Sequence, residues 1–167
     1  MSRRVLVAGI GNIFLGDDGF GPEVARRLGG QVVPDGVRVA DFGIRGVHLA
    51  YELLDGYDAL VLVDAVPLGE APGTLAVIEP EAPTALDDQR DGVAPVVDAH
   101  SMSPAVVLDT LAGLGGTVGR IVVVGCQPAT LDEGIGLSPP VAAAVDPAVD
   151  LCRRLLDDIT EPVGREM

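Results

Sequence analysis

The stretch "VLVAGIGNIFLGDDGFGPEVARRL", residues 5–28, opens with an apolar run, turns at Gly9 and Gly11, and passes two adjacent aspartates, Asp17 and Asp18. An amphipathic segment follows, with Val24, Ala25 and Leu28 on its inward side. Strand, glycine turn and helix in that order are the repeating unit of α/β sheets. Two more runs, "ALVLVDAV" (59–66) and "RIVVVGCQ" (120–127), are nearly continuous in apolar residues, as is "RVLVAGI" (4–10). Strands buried on both faces read this way, so these three form the centre of a sheet. The weaker runs "GVRVADFG" (36–43) and "GTLAVIEP" (73–80) end in glycine or proline and suit its outer strands.

Helical patterns lie between the strands, over 18–28, 46–55, 103–113 and 139–157. The second points Val47, Ala50, Leu53 and Leu54 inward. Ser103 before Pro104 and Ser138 before Pro139 are good N-caps with proline in the first turn. The alternation predicts an α/β fold, a three-layer α/β/α sandwich around a twisted sheet of about five strands. One domain is expected over residues 1–167, with a surface loop at 81–99 and a fraying tail from 160.

A formal charge of −14 argues against a nucleic-acid groove, which needs clustered cations, and favours a cationic partner or a metal ion. All 11 basic residues are arginines, which excludes a P-loop lysine and a Schiff-base lysine. The apolar runs are strand-sized, far short of the roughly 20 residues a membrane helix needs. Gly9, Gly11 and Asn12 interrupt the first run before it could serve as a signal-peptide core, so a cytoplasmic protein is expected. Cys126 and Cys152 lack metal or redox spacing and read as free thiols.

The opening loop starts like a dinucleotide fingerprint, but Phe14 stands where its third glycine belongs. Asp17 and Asp18 would also repel a diphosphate: two unit charges about 5 Å apart, at an effective dielectric of about 20, cost roughly 3 kcal/mol. One aspartate of the pair is expected to cap the helix, leaving the other to face the cleft above the sheet. Asp64 ends an apolar strand and emerges at the edge where open α/β sheets bind ligands, or else caps the turn that follows. His100, in "DAHSMSP", precedes a helix and can reach the same edge, while His48 reads as structural. Asp18, Asp64 and His100 together would suit a divalent transition metal with positions left open. Asp41 ends the second strand beside Gly43 and Gly46 and could help hold a substrate. Glu70, Glu79 and Asp98 read as solvated acids, and Cys126 has no histidine near it in sequence to activate it.

Four segments, "GIGNIFLGDDGFG", "LVLVDAV" followed by "PGT", "DAHSMSP" and "GCQPATLDEGIGLSPPV", resemble in order and spacing the maturation endopeptidases of [NiFe] hydrogenases. The resemblance covers residues 4–150. It implies an α/β/α fold of the phosphorylase/hydrolase-like kind and removal of a C-terminal extension from the hydrogenase large-subunit precursor after nickel insertion. It carries nickel recognition, and with it the catalytic role, onto Asp18, Asp64 and His100, the nickel arriving with the precursor. Asp18 is a shorter variant of a position that is Glu in some members. Asp41 falls on an acidic position of the family, but "FGIRG" departs from the "GGT" of several members, and Arg45 in that loop is expected to mark substrate preference. Either the nickel polarises the scissile carbonyl or a carboxylate activates water, the first being favoured. A monomer that docks on the precursor is expected, with neither membrane nor nucleic acid as partner. The rival readings are a non-catalytic metal-binding or chaperone module and a nucleotide-binding α/β enzyme.

Overall fold

The computed structural model describes residues 3–79 and 104–160. His100, Ser103, the 81–99 stretch, and the tail after 160 lie outside the described residues. Five strands form one sheet: β1 (Val5–Ile10), β2 (Val37–Gly43), β3 (Ala59–Ala65), β4 (Leu75–Ile78) and β5 (Arg120–Cys126), in spatial order β2-β1-β3-β5-β4. The three apolar runs are the inner strands and the two weaker ones the edges, because only an inner strand must satisfy two packed faces. Strands β2, β1, β3 and β5 run parallel, and β4 runs antiparallel to β5. The link from β3 to β4 is too short for a helical crossover, so β4 returns in the opposite sense and leaves room for β5 to insert beside β3.

Four helices cover the sheet among the described residues: α1 (Phe20–Gly29), α2 (Gly46–Leu53), α3 (Pro104–Gly113) and α4 (Pro139–Thr160). Alternation along the strands splits the core in two. Val5, Val7, Val61 and Val63 face α1 and α4 with Phe20, Leu28, Val145 and Leu156, whereas Leu6, Ala8, Leu60 and Leu62 face α2 and α3 with Leu49, Leu53 and Leu111. The result is the three-layer sandwich. Glu23 pairs with Arg26 and Arg27, and Arg27 reaches Asp146 at 2.7 Å, a solvent-screened surface tie between α1 and α4.

Helix α2 is rotated from its expected phase. Leu49, Ala50 and Leu53 are buried, while Val47 is 56% exposed and Leu54 also lies outward. A helix of eight residues with apolar side chains on several sides has no single stripe to fix its rotation, and packing against α3 and β2 decides it. Helix α1 begins two residues later than expected, after a 3-10 turn over Gly16–Gly19 that carries both aspartates.

Glycine sets how closely α1 approaches the sheet. A Cβ on Gly21 would overlap the carbonyl oxygens of Val63 and Ile10, and one on Gly9 would overlap the Gly21 carbonyl. The glycines of the opening loop therefore admit a helix backbone where a dinucleotide fold would admit a pyrophosphate.

Candidate active site

The first turn after β1 folds back over the strand end: a Cβ on Gly11, whose φ is +142°, would strike the Asp18 carbonyl. The backbone N–H of Asn12, of the kind that cradles a phosphate in nucleotide-binding loops, donates instead to Asp18 Oδ2 at 2.7 Å. The loop is thus closed on an anion supplied by the chain itself. This answers why acids stand where anions usually bind.

Asp64 stands at the C-terminal end of β3, opposite Gly125 of β5. The chain passes from β1 to β2 on one side and later to β3 on the other, so this edge is the switch point at which open α/β sheets bind ligands. Burial, and then the negative charge of Asp18, push the Asp64 carboxyl up to about 8, with the Ala65 N–H opposing them. Asp64 therefore keeps its proton at neutral pH beside a second acid. This is the environment of an acid whose charge is disfavoured by burial and by a neighbouring acid.

The fold favours protonated Asp64, so its contribution to stability is full below the unfolded value of 3.8 and is lost as the pH rises through about 8. Asp64→Asn, which cannot ionise, is expected to gain several degrees in Tm on wild type between pH 5 and pH 9. Thermal melts at the two pH values check this. An equal difference at both would mean that Asp64 is not desolvated.

Asp17 corrects the expectation of a helix cap. Neither the 3-10 turn nor α1 has a side-chain cap, and Asp17 is 0% exposed. Its carboxylate accepts hydrogen bonds from the backbone N–H groups of Ala129 (2.8 Å), Thr130 (3.1 Å) and Ser138 (2.7 Å) and from the Ser138 hydroxyl (2.8 Å). Burial alone would raise its pKa, but these donors hold it below the ordinary carboxylate value. Ser138 does occupy the backbone position of an N-cap, its carbonyl accepting from the Ala142 N–H, while its hydroxyl serves Asp17. No local pattern announces this, because the partners lie more than 110 residues from Asp17.

Asp41 pairs in register with Gly9 and closes its own turn, accepting from the Gly43 N–H at 2.8 Å. It lines a groove of about 310 Å³ with Ile13, Pro22, Glu23, Arg26 and Ile135, on the α1 side of the sheet. By strand alternation Asp64 faces the α2 side. The structure thus brings Asp18 and Asp64 together and sets Asp41 apart from them, across the sheet edge. Arg45 turns back, donating from Nε to the Phe42 carbonyl (3.1 Å) and from its terminal nitrogen to the Asp41 carbonyl (3.0 Å). His48 is exposed on α2, and Glu79 pairs with Arg120 at 2.9 Å.

Cys126 and Cys152 are free and buried. Burial, aided by the Asp17 charge, pushes the Cys126 thiol up to about 11, so it is no nucleophile at neutral pH. Among the described residues no group of three or more His, Cys, Asp or Glu side chains is placed to hold a metal ion. No helix among them is long and apolar enough to cross a membrane.

A parallel-centred sheet with two acids, Asp18 and Asp64, at its switch point has the layout of an α/β enzyme whose ligands bind at the strand ends. The family model described as hydrogenase maturation protease (HycI) matches residues 22–154, and the chain belongs to that family. It is accordingly a peptide-bond hydrolase. The hydrogenase 2 maturation protease of Escherichia coli (strain K12) is 31% identical over 166 residues, 98% of this chain and 97% of the relative. A putative hydrogenase maturation protease of Methanocaldococcus jannaschii is 35% identical over 153 residues, 89% of this chain and 94% of the relative. Among solved structures, the hydrogenase maturating endopeptidase HybD from E. coli matches with a TM-score of 0.77 at 30% identity, covering 93% of each chain.

Proposed function

We propose that this endopeptidase removes the C-terminal extension of a [NiFe] hydrogenase large-subunit precursor, and that Asp18, Asp64 and His100 recognise the nickel the precursor already carries. The observation that carries the reading is the acid pair at the switch point, one carboxyl held in its protonated form by burial and by its neighbour's charge. Such a pair gains most from a cation brought to it, since the cation relieves both the repulsion and the desolvation. The nickel is part of the substrate and arrives with it.

His100 belongs to this set by its place in the chain. Helix α3 starts at Pro104 and feeds β5, which runs parallel to β3, so α3 returns antiparallel and its start lies toward the edge that bears Asp64. Two acids and an imidazole suit a borderline metal such as Ni(II). They would check that the metal is in place before the chain is cut, and the precursor's nickel, so held, would polarise the scissile carbonyl for attack by water. Asp41, which lines the neighbouring groove, and Arg45, which donates to the Asp41 carbonyl, contact the precursor and set which hydrogenase is accepted. The protein acts in the cytoplasm as a monomer, with no tightly bound cofactor of its own.

His100→Ala tests the reading. In cells carrying this variant, one hydrogenase large subunit is expected to keep its extension, visible as a higher intact mass, while wild type yields the trimmed form. Equal maturation of every large subunit in both strains would remove His100 from the site.

A further inference from the structure

Asp17 takes no part in the chemistry above, yet it is the one buried polar or charged side chain among the described residues. Its four hydrogen bonds all go to residues 129–138, the segment between β5 and α4. Three backbone bonds reinforce the junction: Asp17 N–H to the Thr130 carbonyl (3.0 Å), Gly16 N–H to the Gly134 carbonyl (2.9 Å), and Gly134 N–H to the Phe14 carbonyl (2.9 Å). This segment has no helix or strand of its own, and residues 129–136 are exposed. Leu137 anchors its end against the core beneath α1 and α4, but over 129–136 apolar packing does little to hold it, and hydrogen bonds to the turn take that role.

What the segment presents is an apolar rim. Ile135 is 78% exposed, with Leu131 beside it on the segment and Ile13 and Phe14 on the facing turn. Ile135 and Leu137 form one wall of the groove that Asp41 lines, and the turn forms part of its floor. The next residue along that turn is Asp18. A single buried carboxylate thus joins the groove wall to the turn that carries Asp18.

We propose that Asp17 is a positioning residue, clamping the 129–138 rim against the turn so that the groove holding the precursor's peptide keeps a fixed distance from the acids that meet its metal. The proposal rests on the maturation reading, with the groove as the seat of an extended peptide whose apolar side chains meet Ile13 and Ile135. Asparagine at this position keeps the shape but presents an N–H to at least one donor of the rim and removes the charge that shortens the remaining bonds. The rim then loosens while Asp18, held separately by Asn12, stays in place.

Two readouts test the clamp in the purified full-length chain. With a nickel-loaded large-subunit precursor, Asp17→Asn is expected to raise KM by about tenfold or more and to change kcat by less than about threefold. Digestion by a glutamate-specific protease at Glu133 in the free variant is expected to be about tenfold faster than in wild type, because the loosened rim populates the extended form a protease needs. Ser138→Ala, which removes one donor, shifts both in the same direction by less, and gives the same decision if Asp17→Asn fails to fold. Unchanged KM with unchanged cleavage at Glu133 would overturn the clamp, as would a fall in kcat at constant KM, which would place Asp17 with the acid pair. If wild type does not cut the precursor, the maturation reading falls, and Glu133 cleavage alone then decides the clamp: faster in the variant supports it, equal overturns it.

Discussion

Asp18→Asn is expected to lower the rate of precursor processing at least about a hundredfold with little change in stability. The amide oxygen can still accept the Asn12 N–H that Asp18 Oδ2 accepts at 2.7 Å, so the turn keeps its closure and only the charge is lost. Removing that charge also removes the repulsion on Asp64, and the pair no longer favours a cation. Changes to groups that merely orient metal ligands typically cost 10- to 100-fold, and loss of a ligand should exceed that range. Asp18→Glu retains the charge and should keep part of the activity. Single-turnover kinetics with a nickel-loaded precursor, alongside thermal melts, measures both effects; wild-type rates in Asp18→Asn would remove the residue from the site.

The second large effect falls on the fold. Gly21→Ala is expected to destabilise the protein by roughly 3 kcal/mol or more, about 6–12 °C in Tm, even though alanine is the better helix former by about 1 kcal/mol. The added methyl meets two backbone carbonyls, those of Val63 and Ile10, which cannot move aside without separating β1 from β3. Gly113, at the end of α3, supplies the control: a Cβ there has nothing within 4 Å. Gly113→Ala should be neutral or stabilising by up to about 1 kcal/mol, and similar losses for the two variants would refute the packing argument.

These two sites also show what a sequence exposes and what it hides. The inner strands are legible because each must be apolar on alternate faces at once, and Asp64 stands out because it ends such a run. The edge strands are legible because glycine and proline bound them. Gly21 is readable as a glycine in a helix but not as a contact, since its neighbours come from two strands. Asp17 is misread as a cap for a similar reason: a capping aspartate has its partners within one turn, and this one has them on a loop more than 110 residues away. The phase of α2 depends on which strand residues it meets, and a short helix with apolar side chains on several sides leaves that open. Local patterns carry elements, whereas a site assembled across the sheet edge emerges only when the topology brings its parts together.

Asp17 and Asp64 are shifted in opposite directions by their surroundings. The depressed pKa of Asp17 means that its bonds stabilise the fold above pH 3.8 and are lost only as the pH falls below it, so the clamp holds throughout the neutral range. Asp64 is poised the other way, with its proton retained until about pH 8. One carboxylate is held in its charged form by the rim's donors, the other in its neutral form by burial and by Asp18.

The most direct test is the intact mass of a purified large-subunit precursor after incubation with this protein, once with nickel in place and once without. The account predicts loss of the C-terminal extension from the nickel-loaded form alone. Equal trimming of both forms, or of neither, would contradict it.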